Sequence, residues 1–555
     1  QDKRYTSFIG KTAKVPLFGQ EVPIIADDSA QIDKGTGVLM ICSYGDKYDV
    51  DAIKRHKLQP RVVLTKQGTL NIPAYEGLKV RDARKKILAD LKEKELILEQ
   101  RSIKHTTNVH DKCGTPIEFL PVPQWFIKIL ENRKNLIAQA KRITWYPEYM
   151  FKRYENWVRG LEWDWSISRE RHFGIPIPVW YCENCNEFIL PEEKELPLDP
   201  LLVSKNCKKC KNKAKPEDKV LDTWATSSLT PQIAASLTTG VAVPYSLRPQ
   251  AHDIIRTWAF YTIVKSMYHE KKLPWETIAI SGNVTMSGEK MSKSKGNGID
   301  PHVVLNQYGA DALRYWASSS KLGEDLDYQE KDLVTGKKLV TKLLNAANFV
   351  FMNMSGMLPV KEPAKLHETD RLFLLQLNTL VESATEAFEE YNYSKARLDV
   401  DQFFWKVFAD NYLEIVKHRV YQGSGEEKAS AAYTLYQAFL TFTKLFAPFV
   451  PYITEELYQA HFRKYEGEKS VHLMSWPVPL KLSSKKEDEV VWRELIDIIT
   501  FVRSKKSEFK KSMKAEIVLS LPAPKQKMLS GILADLKSVC SAKEIRSGDL
   551  SVEFV

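Results

Sequence analysis

Long hydrophobic runs are what this sequence most plainly lacks. No apolar stretch in its 555 residues approaches the ~20 needed to cross a bilayer, which argues against helical membrane spans and a membrane partner. The first residues, Gln1-Asp2-Lys3-Arg4-Tyr5, have neither an initiator Met nor the apolar core of a signal peptide. A cytoplasmic place is therefore expected, and the start reads as a cut end. No internal repeat or low-complexity segment is found. Cysteine is scarce and odd in number, seven in all, which without a signal peptide points to reduced thiols rather than a disulfide framework.

What is present suffices for several cores. The hydrophobic fraction is 43%, and the length is that of three or four units rather than one. A net charge of +11 favours a polyanionic partner without identifying it.

Four cysteines fall into two Cys-x-x-Cys pairs. Each pair, Cys182 with Cys185 and Cys207 with Cys210, forms a tight knuckle that turns two thiolates to one side, and two knuckles close a tetrahedron around Zn²⁺. The 21 residues between the pairs slightly exceed the usual ~15–20, which the geometry tolerates. Four thiolates leave no open coordination position, so the metal is expected to be structural. Two disulfides or four idle thiols are the alternatives. Cys42, Cys113 and Cys540 stand alone, and burial accounts for them.

The run Gly288-Glu289-Lys290-Met291-Ser292-Lys293-Ser294-Lys295-Gly296-Asn297 places cations and hydroxyls between glycines. The glycines let the backbone fold back, and Lys290 and Lys293 can meet a polyphosphate as it gains charge. Taken alone, such a run also fits a solvated surface loop. Upstream, Val220 to Trp224 reads as an apolar strand ending in a polar turn, and Arg248 to Trp258 as a strand entering a helix. Parallel α/β sheets bind ligands at such strand ends. By composition Trp224 and Trp258 also fit core aromatics.

Residues 1–115 carry short strand-like runs at Val22–Ala26, Gly37–Ile41 and Arg61–Leu64, with a charged helix near Val80–Glu99. From about 335 to 470 apolar residues recur every three or four positions, predicting a helix bundle. From about 485 the order is helix, strand, helix, strand, with a basic face at Arg503, Lys505, Lys506, Lys510, Lys511 and Lys514. That face suits a phosphate backbone or simply solvent.

The pentapeptide Lys290-Met291-Ser292-Lys293-Ser294 resembles the nucleotide-binding signature of class I aminoacyl-tRNA synthetases, and its surroundings extend the likeness. Cys113-Gly114-Thr115-Pro116-Ile117-Glu118, Trp163 to Arg171, Gly174 to Trp180, Arg248 to Trp258 and Asn283 to Gly288 follow in the order of that class. The match is greatest to valyl-tRNA synthetases of archaeal type, with isoleucyl-tRNA synthetases as the alternative. The resemblance implies an α/β fold: the second half of a class I Rossmann-type catalytic domain with a partial β-rich editing insertion, plus an α-helical bundle and a small α+β C-terminal domain. The expected divisions are 1–115 (editing), 116–330 (catalytic, zinc knuckle at 180–215), 331–480 (anticodon-binding) and 481–555 (basic α+β).

It further implies ATP, Mg²⁺, valine and its tRNA as substrates and partners. Lys290, Ser292, Lys293 and Ser294 would serve catalysis; His252, Asp253, Met291 and Lys293 would bind ATP; Trp224, Ile254 and Trp258 would wall the amino-acid pocket. After the Gly35-Thr36-Gly37 turn, Asp46 and Asp49 would hold the ammonium group of a mischarged amino acid during editing. An Asp-rich turn capping the next helix is the bland alternative. Ala251, where the family has Gly, and Lys34 and Cys42 depart from the pattern. The class signature His-x-Gly-His does not occur. The expectation is therefore a carboxyl-terminal two-thirds of such an enzyme, a monomer unless a separate N-terminal half joins it, and inactive alone. A non-catalytic tRNA-binding module is the reading from another class.

Overall fold

The computed structural model describes residues 2–41, 43–102, 104, 106–110, 113–291, 296–354, 357–358 and 360–555. The chain forms two compact units, Gln1–Phe126 and Ile127–Val555.

The first unit is small and loosely cored. Strands Thr12–Lys14 and Glu21–Pro23 pair antiparallel, and helices Lys47–His56 and Val80–Glu93 follow. Leu70, Tyr75 and Ala83 are buried beneath Leu64, Ile72, Leu78 and Ile87. Of the expected strands only Val22–Ala26 overlaps an observed one. Gly37–Ile41 enters no ladder among the described residues, and Arg61–Leu64 contributes a single bridge, Leu64 to Leu70. Strand propensity is realised only where a partner edge takes the backbone groups, and Val38 stays 63% exposed. The helix near Val80 also stops early, at Glu93.

In the second unit a parallel sheet carries the site. Its order is Tyr245–Ala251, Trp275–Ser281, Thr144–Tyr146. The helix Phe260–Glu270 makes the crossover between the first two strands, the βαβ connection that parallel pairing requires. Ile278 and Ile280 are fully buried among Ile255, Phe260, Ile263 and Val264. A second, smaller sheet pairs Val284–Met286 with Glu289–Lys290 antiparallel and with Leu326–Asp327 parallel. Between strands Ser168–Arg169 and Val220–Leu221, which pair with each other, the chain inserts a three-stranded antiparallel ribbon of Trp180–Cys182, Glu187–Ile189 and Lys215–Pro216.

Helices Glu330–Met352, Glu368–Glu389, Tyr393–Gln402, Leu413–Gln422, Gly425–Phe446 and Pro451–His461, with a π-helical stretch at Phe403–Tyr412, build the expected bundle. Beyond it, helix Asp488–Glu508 leads to a sheet ordered Ala542–Ser547, Ile517–Leu521, Ser551–Phe554, the last strand exceeding the expected pattern. One hydrophobic core runs from Tyr315 through the bundle to Ala542. No helix among the described residues is long and apolar enough to cross a membrane.

The basic face after residue 500 needs correction. Lys506 is 1% exposed and donates to the carbonyls of Met513 and Cys540, each at 2.8 Å, so it ties the helix to the terminal sheet. Arg503 donates to Asn411 Oδ1 and the Asp410 carbonyl. Lys510, Lys511 and Lys514 remain exposed.

Candidate active site and metal centre

Tyr245–Ala251 and Trp275–Ser281 end side by side, Ala251 opposite Ser281. Past the first end, His252–Ile254 turns into the π-helical Ile255–Ala259. Past the second, Gly282 lies so close to the Glu324 backbone that any Cβ would collide with it. That close approach lets the Gly323–Asp327 run reach both strand ends. Asp325 Oδ1 accepts from the Asn283 N–H at 2.7 Å and lies 3.0 Å from His252 Nε2, while Asn283 Nδ2 is 3.2 Å from the same ring nitrogen. The Asn283 N–H, and then His252, hold the Asp325 carboxyl below its usual range.

Strands Val284–Met286 and Glu289–Lys290 form a hairpin whose turn residues, Ser287 and Gly288, have φ of 52° and 78°. Positive φ at both positions is the type I′ geometry that matches strand twist. Asp327 Oδ1 anchors the turn, accepting from Gly288 N–H at 3.1 Å and Thr285 Oγ1 at 2.9 Å. The hairpin carries Lys290 to Asp253, Nζ to Oδ2 3.0 Å. Met291 continues the strand toward Val284, and Asn297 Nδ2 closes back on the Lys290 carbonyl at 3.3 Å. Ser292, Lys293 and Ser294 lie outside the described residues.

Trp224, Ile254 and Trp258 are all half-buried. Trp224 sits on the short helix Thr223–Ser227, and Trp258 Nε1 donates to the Ser227 carbonyl at 3.1 Å, joining the two indole-bearing elements. The Arg248 guanidinium stacks on the Trp258 ring, and burial pulls its pKa down to about 10. Ala251 is half-buried at the strand end. Sequence reasoning missed Asp325, Asp327 and Arg248 as supports. The Asp-x-Asp run after Gly323 was the available signal for the first two.

In the first unit Asp46 caps the helix Lys47–His56, its Oδ1 accepting from the Asp49 N–H at 2.9 Å. The capping reading is thus present in the structure.

The four knuckle cysteines are free thiols converging within 4.8 Å of one another, with Sγ separations of 3.4 Å for Cys182–Cys210 and Cys185–Cys207 and 3.7 Å for Cys185–Cys210. A tetrahedral zinc with ~2.3 Å bonds sets its sulfurs about 3.7 Å apart, so the cluster fits such an ion. The backbone N–H of Cys210 draws the Cys207 thiol down to about 6, whereas burial pushes the Cys185 thiol up to about 12. These residues can hold a metal ion.

A basic groove lies on the bundle. Lys337, Lys338, Lys342 and Asn345 line it with Trp405, whose ring lies 5.3 Å from Lys342 Nζ.

Comparison with known proteins places these features. The family described as tRNA synthetases class I (I, L, M and V) matches residues 48–329, and the anticodon-binding domain of tRNA ligase matches residues 370–521. A valine--tRNA ligase of Thermoplasma volcanium is 42% identical over 92% of this chain and 66% of its own length. One of Rickettsia felis is 40% identical over 99% of the chain and 66% of its own length, and one of Thermoplasma acidophilum 41% identical over 99% and 71%. The chain thus spans 66% of the length of the first two relatives. A solved Mycobacterium tuberculosis methionyl-tRNA synthetase in complex with methionyl-adenylate shares the fold, with TM-score 0.50, 19% identity, 68% of this chain and 71% of that one covered. With a parallel sheet ending in the His252–Asp253 turn and the Lys290 hairpin, and with relatives of this similarity, the chain belongs to the class I tRNA synthetases, in the valine--tRNA ligase family.

Proposed function

We propose that the chain serves the attachment of valine to its tRNA through an ATP-derived aminoacyl-adenylate. The observation that carries this reading is the Lys290 ammonium held 3.0 Å from Asp253 at the carboxyl ends of parallel strands, on a hairpin fixed by Asp327. Valine is favoured over isoleucine because the relatives reported above are valine--tRNA ligases.

In this reading ATP lies over the strand ends. His252, oriented by Asp325 and Asn283, and Asp253 meet its ribose and adenine side, with Met291 beside them. The valine carboxylate attacks the α-phosphorus in line, and the bond to pyrophosphate breaks. Lys290, with Lys293, Ser292 and Ser294 of the same loop, neutralises the charge that develops on the departing pyrophosphate. Lys290 exchanges its Asp253 partner for phosphate at that moment. Mg²⁺ would enter with the triphosphate, as that ion commonly does. Trp224, Ile254 and Trp258 wall the valine side chain.

The terminal ribose hydroxyl of tRNA then attacks the valyl carbonyl, forming the ester as the bond to phosphate breaks and AMP leaves. The groove of Lys337, Lys338, Lys342 and Trp405 offers cations and a stacking face to the RNA. Zinc in the cysteine cluster would hold the ribbon closed. We further assign editing to Asp46 and Asp49, of which Asp46 Oδ1 accepts from the Asp49 N–H. The domain limits at 115, 330 and 480 and a cytoplasmic place belong to the same proposal.

Valine-dependent ATP–pyrophosphate exchange, measured with the chain alone and with a relative's His-x-Gly-His segment supplied in trans, tests the reading. Exchange in either mixture supports it. Tight tRNA binding with no exchange in both would leave a tRNA-binding module instead.

A further inference from the structure

One indole of the amino-acid pocket rests on a buried cation. Arg248, in the middle of strand Tyr245–Ala251, lays its guanidinium on a face of the Trp258 ring, and the same group lies 5.6 Å from the centroid of Trp275. Trp275 is 2% exposed and opens the neighbouring strand, Trp275–Ser281, so the guanidinium connects the Trp258 ring to the core. Arg248 Nε and Nη2 are shielded from solvent and have no hydrogen-bond partner among the described residues. Burial alone, with no carboxylate to offset it, acts on the charge.

A guanidinium so placed is costly. Charged side chains are seldom buried unless paired, and an apolar residue of similar volume would fill the space without the loss of hydration. What arginine adds is a flat, rigid cation that stacks on an indole face. The indole it meets is fixed on a second side as well: Trp258 Nε1 donates to the carbonyl of Ser227, the last residue of the helix Thr223–Ser227 that carries Trp224, at 3.1 Å. The hydrogen bond sets one ring edge relative to the Trp224 helix, and the guanidinium sets how deep the ring face lies. Trp258 itself belongs to the π-helical Ile255–Ala259, a kind of turn frequent at functional sites.

We propose that Arg248 is a positioning residue that determines amino-acid specificity by fixing the Trp258 wall. This rests on the aminoacylation reading above and names what sets the size of the same pocket. Isoleucine exceeds valine by one methylene, and an apolar pocket separates the two only if its walls do not give. With the Arg248 side chain removed, the ring has empty space behind it and can retreat to admit the larger amino acid.

The test measures binding of two non-hydrolysable adenylate analogues, valyl and isoleucyl sulfamoyl adenosine, to the chain with a relative's His-x-Gly-His segment supplied in trans. A methylene is worth about tenfold or more, so the unaltered chain should hold the valyl analogue at least that much more tightly. In Arg248→Ala the two affinities should converge, chiefly because the isoleucyl analogue binds more tightly than before. That gain separates a loosened wall from a weakened fold, which would lower both affinities alike. Melting followed by circular dichroism shows whether each variant is folded. Should Arg248→Ala not fold, Arg248→Met, which refills the space with a flexible chain, is read in the same way. A folded variant that keeps the full valyl preference, or loses both affinities in equal proportion, overturns the proposal and leaves the aminoacylation reading in place. An unaltered mixture that binds neither analogue, or both equally, overturns the valine pocket and the proposal with it.

Discussion

Replacing Arg419 by Met should be the most destabilising single change in the helical part of the molecule. The guanidinium is 1% exposed; Nη1 and Nη2 donate to Asp370 at 2.8 and 2.6 Å, and Nε donates to Asp535 at 3.0 Å. Asp370 also accepts from Tyr412 Oη at 2.7 Å and Ser430 Oγ at 2.6 Å, and both carboxylates are fully buried. His367 Nδ1 and His418 Nε2 lie 3.5 and 3.3 Å from Asp535. Removing one partner of a buried ion pair costs about 3–5 kcal/mol, because the other charge is left without compensation. Here one cation serves two carboxylates, one on the bundle and one on the terminal α+β part, so the upper end of that range applies. For a part of 150–250 residues each kcal/mol moves the midpoint by about 2–4 °C, giving a fall of roughly 10–20 °C. Thermal melting followed by far-ultraviolet circular dichroism reads it directly. The triple variant Arg419→Met, Asp370→Asn, Asp535→Asn removes all three charges together and should recover much of the loss. A single variant within about 1 kcal/mol of the unaltered chain, or a triple variant less stable than the single one, would refute the electrostatic account.

Lys290→Met should separate function from stability: the Lys290–Asp253 side chains are 57% and 42% exposed, so the pair contributes at most about 1 kcal/mol to folding. Melting should barely move while valine-dependent pyrophosphate exchange by the reconstituted enzyme falls about 10²–10³-fold. Metal analysis should find one zinc per chain, and Cys185→Ser should release it and open the segment 180–215 to protease. Asp49→Ala should slow deacylation of threonine-charged tRNA by about 10–100-fold, the equivalent of one charge-assisted hydrogen bond of about 1.5–3 kcal/mol. Arg371, donating to both Asp488 oxygens at 2.7 and 2.6 Å, holds that carboxyl below the ordinary value near ~3.9. A depressed folded-state pKa means a contribution fully present above about 4 and lost as pH falls through the lower folded value. Melting midpoints should therefore hold from pH 7 to 5 and drop below about 4, less steeply in Asp488→Asn.

Local spacing explains what could be read from the amino-acid sequence. The cysteine knuckles are set by i, i+3 geometry, the Lys290 turn by the glycine at 288, and the strand ends near Leu221 and Ala251 by runs meeting polar turns. None of these needs a distant partner to be recognised. Asp325 and Asp327 could not be seen in the same way, because they reach His252, Asn283 and Gly288 through a parallel pairing of segments some 40 residues apart in sequence. Lys506 failed for the same reason: helix periodicity cannot reveal that the Cys540 carbonyl, 34 residues on, waits beside its ammonium group. Gly37–Ile41 shows the converse, a run with strand composition whose outcome depends on a partner edge that its own residues do not specify.

The link between the Lys290 hairpin and the bundle has its physical content in one carboxylate. Asp311, on helix Ala310–Ala317 and 8% exposed, accepts the N–H groups of Tyr452 and Ile453 at 3.1 and 2.7 Å. These are first-turn donors of helix Pro451–His461, which such a helix normally satisfies with its own N-cap residue or with water. Arg314, one turn further on, donates to the Pro448 carbonyl at 2.9 Å. The bundle helix therefore obtains its cap from the element that follows the Lys290 loop. Two charge-assisted hydrogen bonds, each about 1.5–3 kcal/mol, would be forfeited by any movement that pulled the two apart. Tilting one against the other would leave buried donors unpaired. Helix Ala310–Ala317 is accordingly held to the bundle by a fixed strut rather than by a flexible tether.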